Sequence, residues 1–181
     1  MRTHSDLGRA AGGPGEHGAD RGDRGDRGGA DGLVPGDLAP GDLAPHRPPW
    51  PVLDRIVAID GERVVAEKRV SADDPLWPPG GTGGVGGVAL GGLVLLELAA
   101  QAAACLVGSA NRGRTGHLGY LVAARGWKFP RPGGVRPGET VRVTVARRAT
   151  MGALASFRAT VTVGDEEVAA GELTCAARFD A

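Results

Sequence analysis

Residues 80–104 read GGTGGVGGVALGGLVLLELAAQAAA, a glycine-rich run that passes directly into an apolar segment. The three- and four-residue spacing predicts a helix from about Gly92 to Val107, with Leu93, Leu96, Glu97, Ala100, Ala104 and Val107 on one stripe. Glu97 and Gln101 are four residues apart, so their side chains are neighbours on the helix surface. By length, the stretch from Val85 to Val107 could span a bilayer. An acid at its centre would cost roughly 2.5–3.5 kcal/mol there, and four of its first eight residues are glycine. It therefore reads as a core helix that carries a carboxylate for a reason.

The glycine run has three readings. GTGGVG (81–86) fits the spacing of a dinucleotide loop, but no strand precedes it and no βαβ unit surrounds it. A Walker loop is excluded because no Lys-Ser or Lys-Thr follows the glycines. Two readings stay open. The run is a flexible insertion, or its backbone N–H groups, with those of Gly91 and Gly92, approach a ligand carbonyl at the helix N-terminus, where free donors and partial positive charge would stabilise a developing oxyanion.

Working outward, residues 48–59 (PPWPVLDRIVAI) open a compact region. Ile56, Ala58 and the run Val64–Ala66 predict two strands joined through an Asp-Gly turn. Beyond the helix, strand-like sequence resumes at residue 117. Val141, Val143 and Val145 alternate with Arg142 and Thr144; Phe157, Ala159, Val161 and Val163 alternate next, then Leu173, Cys175 and Ala177. MGAL (151–154) and GDEE (164–167) read as the intervening turns. Two strands, one helix and about four strands make an α+β domain over residues 48–181.

Residues 1–47 are expected to form a disordered tail. They repeat RGDRGDRGG and PGDLAPGDLAP, which offer little apolar surface to offset ordering entropy. The RGD triplets read as linker, not as an adhesion signal, because no apolar export segment is read behind the first residues. Lys plus Arg and Asp plus Glu number 21 each, so there is no basic excess for nucleic acid. Cys105 and Cys175 have no metal or redox spacing and are expected to be reduced in the cytoplasm. No metal and no cofactor is expected.

LVLLELAAQAA (93–103) resembles the helix of the β-hydroxyacyl-acyl-carrier-protein dehydratases of bacterial fatty-acid synthesis, through Gly92, Leu96, Glu97, Ala100, Gln101 and Ala102. PVLDRIVAIDGERVVAEKRVSADDPLW (51–77) resembles the opening strands of that family, with Asp54-Arg55 and Val70-Ser71 in place. YLVAARGWKFPRPGGVRPGETVRVTV (120–145) resembles its Tyr-Leu…Phe-x-Arg-Pro segment, and residues 164–178 its last hairpin. The resemblance spans about Trp50 to Arg178. It implies a single hotdog domain, an antiparallel sheet wrapped around one long central helix, usually paired into a dimer.

One departure matters. The family carries a histidine before the helix, and here that position falls on Gly80 or Gly83, depending on the side from which it is aligned. Dehydration needs a base beside the thioester carbonyl and an acid for the departing hydroxyl. The resemblance implies that this chain keeps the acid, Glu97, and lacks the imidazole base. His4, His17 and His46 lie in the tail, and His117 begins a strand after the helix. In family dimers each site is shared across the interface, so a heterodimer with a histidine-bearing hotdog relative would complete one site. The implied partner in catalysis is an acyl carrier protein bearing a phosphopantetheine-linked acyl chain. Substrate contacts are expected from Gly91, Gly92, Gln101, Arg125, Lys128 and Arg131, although by residue type alone the three cations read first as a solvated basic edge. Two other functions stay open: a hotdog thioesterase using Glu97 with backbone donors, and a non-catalytic acyl-binding or structural subunit.

Overall fold

The computed structural model describes residues 34–35, 39–44, 53–72, 74, 91–110 and 118–178. Within them the chain order is β1 (Val34–Pro35), α1 (Pro40–Leu43), β2 (Arg55–Ile59), β3 (Arg63–Arg69), α2 (Gly92–Ala110), β4 (Leu118–Lys128), β5 (Thr140–Met151), β6 (Leu154–Val163) and β7 (Glu166–Arg178). The strands form one antiparallel sheet in the order β1-β2-β3-β5-β6-β7-β4. Two strands, a long helix and four strands follow one another as the alternation predicts, and the sheet wraps around α2 in the hotdog arrangement.

Period-2 patterning sets the inner face. Val141, Val143 and Val145 of β5 and Phe157, Ala159 and Val161 of β6 are fully buried, and Leu173 of β7 is almost so. Each large apolar side chain removed from water in this way contributes about 1.5–3 kcal/mol. The turn joining β2 and β3 is held by Asp60, whose Oδ1 accepts from the backbone N–H groups of Glu62 and Arg63 at 2.6 Å each. Hairpin turns occur at Gly152 and Gly164, where the turn signals lie.

α2 is long and apolar enough to cross a membrane, yet half of it is buried inside its own fold. It runs to Ala110, three residues past the predicted end. Its buried face is Leu95, Leu98, Ala99, Ala102, Ala103, Cys105 and Leu106. The stripe of Leu93, Leu96, Glu97, Ala100, Ala104 and Val107 is not the side pressed onto the sheet; Leu93 is 81% exposed and the others are half-buried. Nearly every residue of the helix is apolar, so periodicity could define stripes without saying which one faces the sheet.

Residues 39–44, assigned to the tail by composition, belong to the fold. Pro40, Leu43 and Ala44 are buried, and the Cys105 thiol lies 3.8 Å from the Pro40 carbonyl oxygen. Val34–Pro35 pairs with Ile59–Ala58 at the sheet edge. A few apolar residues seated on α2 outweigh a local composition of Gly, Pro and Asp. The remaining residues of the expected tail lie outside the described ones.

The outer face carries a charge ladder. Glu67 on β3 is 9% exposed and bridges two guanidiniums: Arg55 donates from Nη2 at 2.5 Å and Nε at 3.0 Å, Arg142 from Nη2 at 2.7 Å and Nε at 3.1 Å. Burial works against its charge, but the hydrogen bonds from Arg142 and Arg55 outweigh burial and hold the carboxyl below its ordinary value of 4.5.

Two measurements check this account. A Cβ at Gly108 would collide with the Leu43 carbonyl oxygen. Gly108→Ala should therefore destabilise the fold by about 1–3 kcal/mol in urea unfolding, against the helix propensity of alanine; a gain in stability would contradict the contact. A carboxylate whose pKa is depressed by folding stabilises above its unfolded pKa, and that stability is lost as pH falls through 4.5 toward the folded value. Glu67→Gln should flatten this acid limb of the stability curve while lowering stability at neutral pH.

Candidate active site

Glu97 stands on the half-open stripe of α2, with Leu93 one turn before it and Ala100 and Ala104 beyond. Its Oε1 accepts a hydrogen bond from Gln101 Nε2 at 3.0 Å. Gln101 is 1% exposed, so a buried amide fixes one oxygen of a half-buried carboxyl. The structure thus brings these two predicted site residues together, on an otherwise apolar surface. A carboxylic acid in such surroundings can pass a proton to a leaving hydroxyl if a substrate chain lies along the stripe.

Gly91 and Gly92 mark the start of the helix. The Gly91 carbonyl accepts from the Val94 N–H at 3.0 Å and the Leu95 N–H at 3.3 Å, which makes Gly91 the first carbonyl of the helix. The leading N–H groups of a helix have no intrahelical acceptor and point along the axis toward whatever approaches. Gly91 is exposed, with open space where a Cβ would be. The glycine run 80–90, the two positions aligned with the family histidine, and all four histidines lie outside the described residues.

The three predicted cations separate. Arg125 and Lys128, both exposed on β4, line an open cleft of about 380 Å³ with Arg158, Glu167, Gly171 and Glu172. Strand register explains the grouping, because Glu172 of β7 stands opposite Arg125 on one side and Arg158 on the other. Arg131 does not join them. Its side chain is 19% exposed and binds Glu139 through two hydrogen bonds, at 3.1 and 2.7 Å, with Glu166 3.6 Å away. Glu139 also accepts from the Arg136 N–H at 2.7 Å. The Arg131 hydrogen bond holds the Glu139 carboxyl below its usual range, and Glu139 in turn raises Arg131. Arg131 fastens the loop before β5, a role that residue type alone does not distinguish from a basic edge.

Burial sets the state of the two cysteines. Neither is in a disulfide. Burial pushes the Cys105 thiol up to about 12 and the Cys175 thiol up to about 11, so both stay protonated at neutral pH. Among the described residues no group of His, Cys, Asp and Glu is arranged to hold a metal ion.

Two residues missed from the sequence link the cleft to the helix. Phe129, directly after Lys128, lays its ring on Gly92, and Trp127 stacks beside it with ring centroids 5.9 Å apart. The alternation of Trp127 and Phe129 around Lys128 was the available signal, since it puts both rings on one side of the strand.

With this geometry the chain can be set against known proteins. Residues 38–180 match the ApeP-like family, described as ApeP dehydratase. The 3-hydroxyacyl-[acyl-carrier-protein] dehydratase FabZ of Alkalilimnicola ehrlichii is 34% identical over 140 residues, covering 72% of this chain and 83% of that protein. FabZ of Syntrophomonas wolfei is 30% identical over 132 residues, covering 71% and 85%. Among solved structures, the dehydratase heterocomplex ApeI:P from Xenorhabdus doucetiae has a TM-score of 0.68 at 19% identity, covering 79% of this chain and 93% of that one. A point mutant of the fluoroacetyl-CoA-specific thioesterase FlK has a TM-score of 0.53 at 21% identity, covering 66% and 87%; it shares the fold. The helix with its Glu97–Gln101 pair, the wrapped sheet and these matches agree: the chain is a dehydratase-like hotdog protein and belongs to the ApeP-like dehydratase family.

Proposed function

We propose that this chain is one subunit of a two-chain dehydratase for 3-hydroxyacyl thioesters on acyl carrier protein, in fatty-acid or polyketide assembly, and that it contributes Glu97 while a second hotdog subunit contributes the base. The observation that carries the reading is Glu97 itself, hydrogen-bonded to buried Gln101 on the stripe of α2 that its own sheet leaves half open. An acid in that position needs a second surface to complete its surroundings. No histidine occurs between residues 47 and 116, which supports a base from another chain.

The chemistry divides accordingly. The partner's base takes the proton from the carbon beside the thioester carbonyl, and the electron pair forms the new double bond as the hydroxyl leaves. Glu97 gives a proton to that hydroxyl, which departs as water. N–H groups at the start of α2, at Gly91 and Gly92, suit the thioester oxygen as it gains charge. The proton taken by the base returns to Glu97 through solvent, so no external reagent is consumed.

Pairing has a second support. β4 ends the sheet, and its Tyr120, Leu121 and Val122 are exposed in succession. An apolar strand edge of this kind pairs readily with another strand. The ApeI:P relative is a heterocomplex by its own description. The cleft at Arg125 and Lys128, with three cations against two carboxylates, suits an acidic carrier protein. Such a protein would work in the cytoplasm, in solution.

Purified alone, the chain should not hydrate a crotonyl thioester; combined with a histidine-bearing hotdog subunit it should. Glu97→Gln in the mixed complex should cut the rate by about 10²–10⁴-fold without dissolving the complex. Undiminished activity would refute the assignment. Release of free thiol from acyl-CoA by the chain alone would instead identify the thioesterase chemistry.

Reversing Arg125 and Lys128 to Glu should raise KM for the carrier-bound substrate by about tenfold, steeply dependent on salt, with little effect on a short pantetheine substrate. Arg131→Met should act on thermal stability instead, because it unfastens Glu139.

A further inference from the structure

Two rings and two glycines join the sheet to the first turn of α2. A Cβ at Gly92 would lie 2.8, 2.7 and 2.8 Å from Cγ, Cδ1 and Cε1 of Phe129. Three such similar distances to consecutive atoms put the added carbon over the ring face, so the ring lies flat against the helix backbone. A Cβ at Gly171 of β7 would meet Cγ and Cδ2 of Trp127 at 2.5 Å and Cδ1 at 2.7 Å, so the indole lies flat on the sheet in the same manner. Trp127 is fixed further by its Nε1–H, which donates to the Glu172 carbonyl at 3.1 Å. The two ring planes are 19° apart. Sheet backbone, indole, phenyl and helix backbone are therefore in unbroken contact.

We infer that Trp127 and Phe129 are positioning residues, a rigid strut that sets where the first turn of α2, and with it Glu97, stands relative to the sheet. The inference rests on the reading of Glu97 as the acid. Glu97 is five residues from Gly92, about 7.5 Å along the axis, with only helix between. Carbon atoms in contact settle at about 3.5–4.0 Å, so a methyl at Gly92 must displace the helix end or the ring by about 1 Å. A misplacement of that size is enough to cost about 10²-fold in rate. Phe129 is nonetheless 42% exposed. Its place is held by contact with the helix and by stacking on the indole, which is itself seated on the sheet at Gly171, not by enclosure.

The test uses the assembled two-chain complex. Gly92→Ala should lower kcat by about 10–100-fold with KM for the carrier-bound substrate nearly unchanged, and should speed amide exchange over residues 92–97. Adding Phe129→Val to Gly92→Ala gives the methyl room and should restore much of both. Gly61→Ala, at an exposed glycine with nothing near its added Cβ, serves as the control and should match the parent. Parental kcat in Gly92→Ala, in a complex that Glu97→Gln inactivates, overturns the inference; so does a loss that Phe129→Val fails to relieve. Should Glu97→Gln leave activity intact, the acid assignment falls separately, and exchange decides: faster exchange in Gly92→Ala, reversed in the double variant, upholds the strut, and parental exchange refutes it.

Discussion

The structure depends on one constraint: α2 is apolar around most of its circumference, and a single sheet covers only one side of it. Leu95, Leu98, Ala99, Ala102, Ala103 and Leu106 are removed from water by the inner faces of β3, β5, β6 and β7. α1 closes over the C-terminal half, where Leu43 meets Gly108. What remains is the stripe from Leu93 to Val107, with one carboxylate in it. Two of its residues, Ala100 and Ala104, are small, so a second surface could approach the helix closely there. The same feature that gives the domain its core thus leaves it with an incompletely covered helix.

The fold was largely legible because sheet strands declare themselves by alternation. Val141, Val143 and Val145 against Arg142 and Thr144 admit one reading, and the structure buries the valines. The helix was legible as an element but not in orientation. Its stripes are all apolar, and the one that attracted notice, marked by Glu97, is marked because it is the side not given over to the core. The seating of residues 39–44 was hidden for another reason. PGDL is an unpromising helix on its own, and its stability comes from Leu43 meeting a glycine 65 residues away, which no local window contains. At the site, the Glu97–Gln101 pair followed from helical spacing alone. Arg131 did not, because the carboxylates that hold it, Glu139 and Glu166, lie 8 and 35 positions on in the chain and come together only across the sheet.

The outer face of the sheet repeats one electrostatic motif with different results. Register aligns Arg55, Glu67 and Arg142 across β2, β3 and β5, and aligns Arg125, Glu172 and Arg158 across β4, β7 and β6. In each, a carboxylate stands between two guanidiniums. The first is tightly closed: Glu67 is nearly buried and accepts hydrogen bonds from both arginines. The second borders an open cleft and has Lys128 as an additional cation. A closed triad has satisfied its charges internally and has little field left for a partner. An open one with excess positive charge retains it, and under the proposed reading that charge would steer an acidic carrier protein toward the end of the sheet where β4 is exposed.

These features meet at one end of the helix by direct chain connection. Lys128 borders the cleft, Phe129 follows it, and its ring rests on Gly92, the first residue of α2. Under the proposed reading, the backbone donors that point outward from the helix N-terminus would face the thioester carbonyl. The hydroxyl-bearing carbon is two bonds farther along the acyl chain, on the order of 2.5 Å from the carbonyl carbon by ordinary bond lengths. Glu97 begins about 7.5 Å down the axis from Gly92, but side chains on a helix lean toward its N-terminus, which shortens the distance its carboxyl must bridge. The buried amide of Gln101, one turn farther in, holds the opposite flank of that carboxyl. Under the proposed reading, oxyanion donors and proton donor are spaced along one helix at an interval suited to one substrate, and what this helix cannot furnish is a base on the opposite side of the acyl chain, which is where a second subunit would stand.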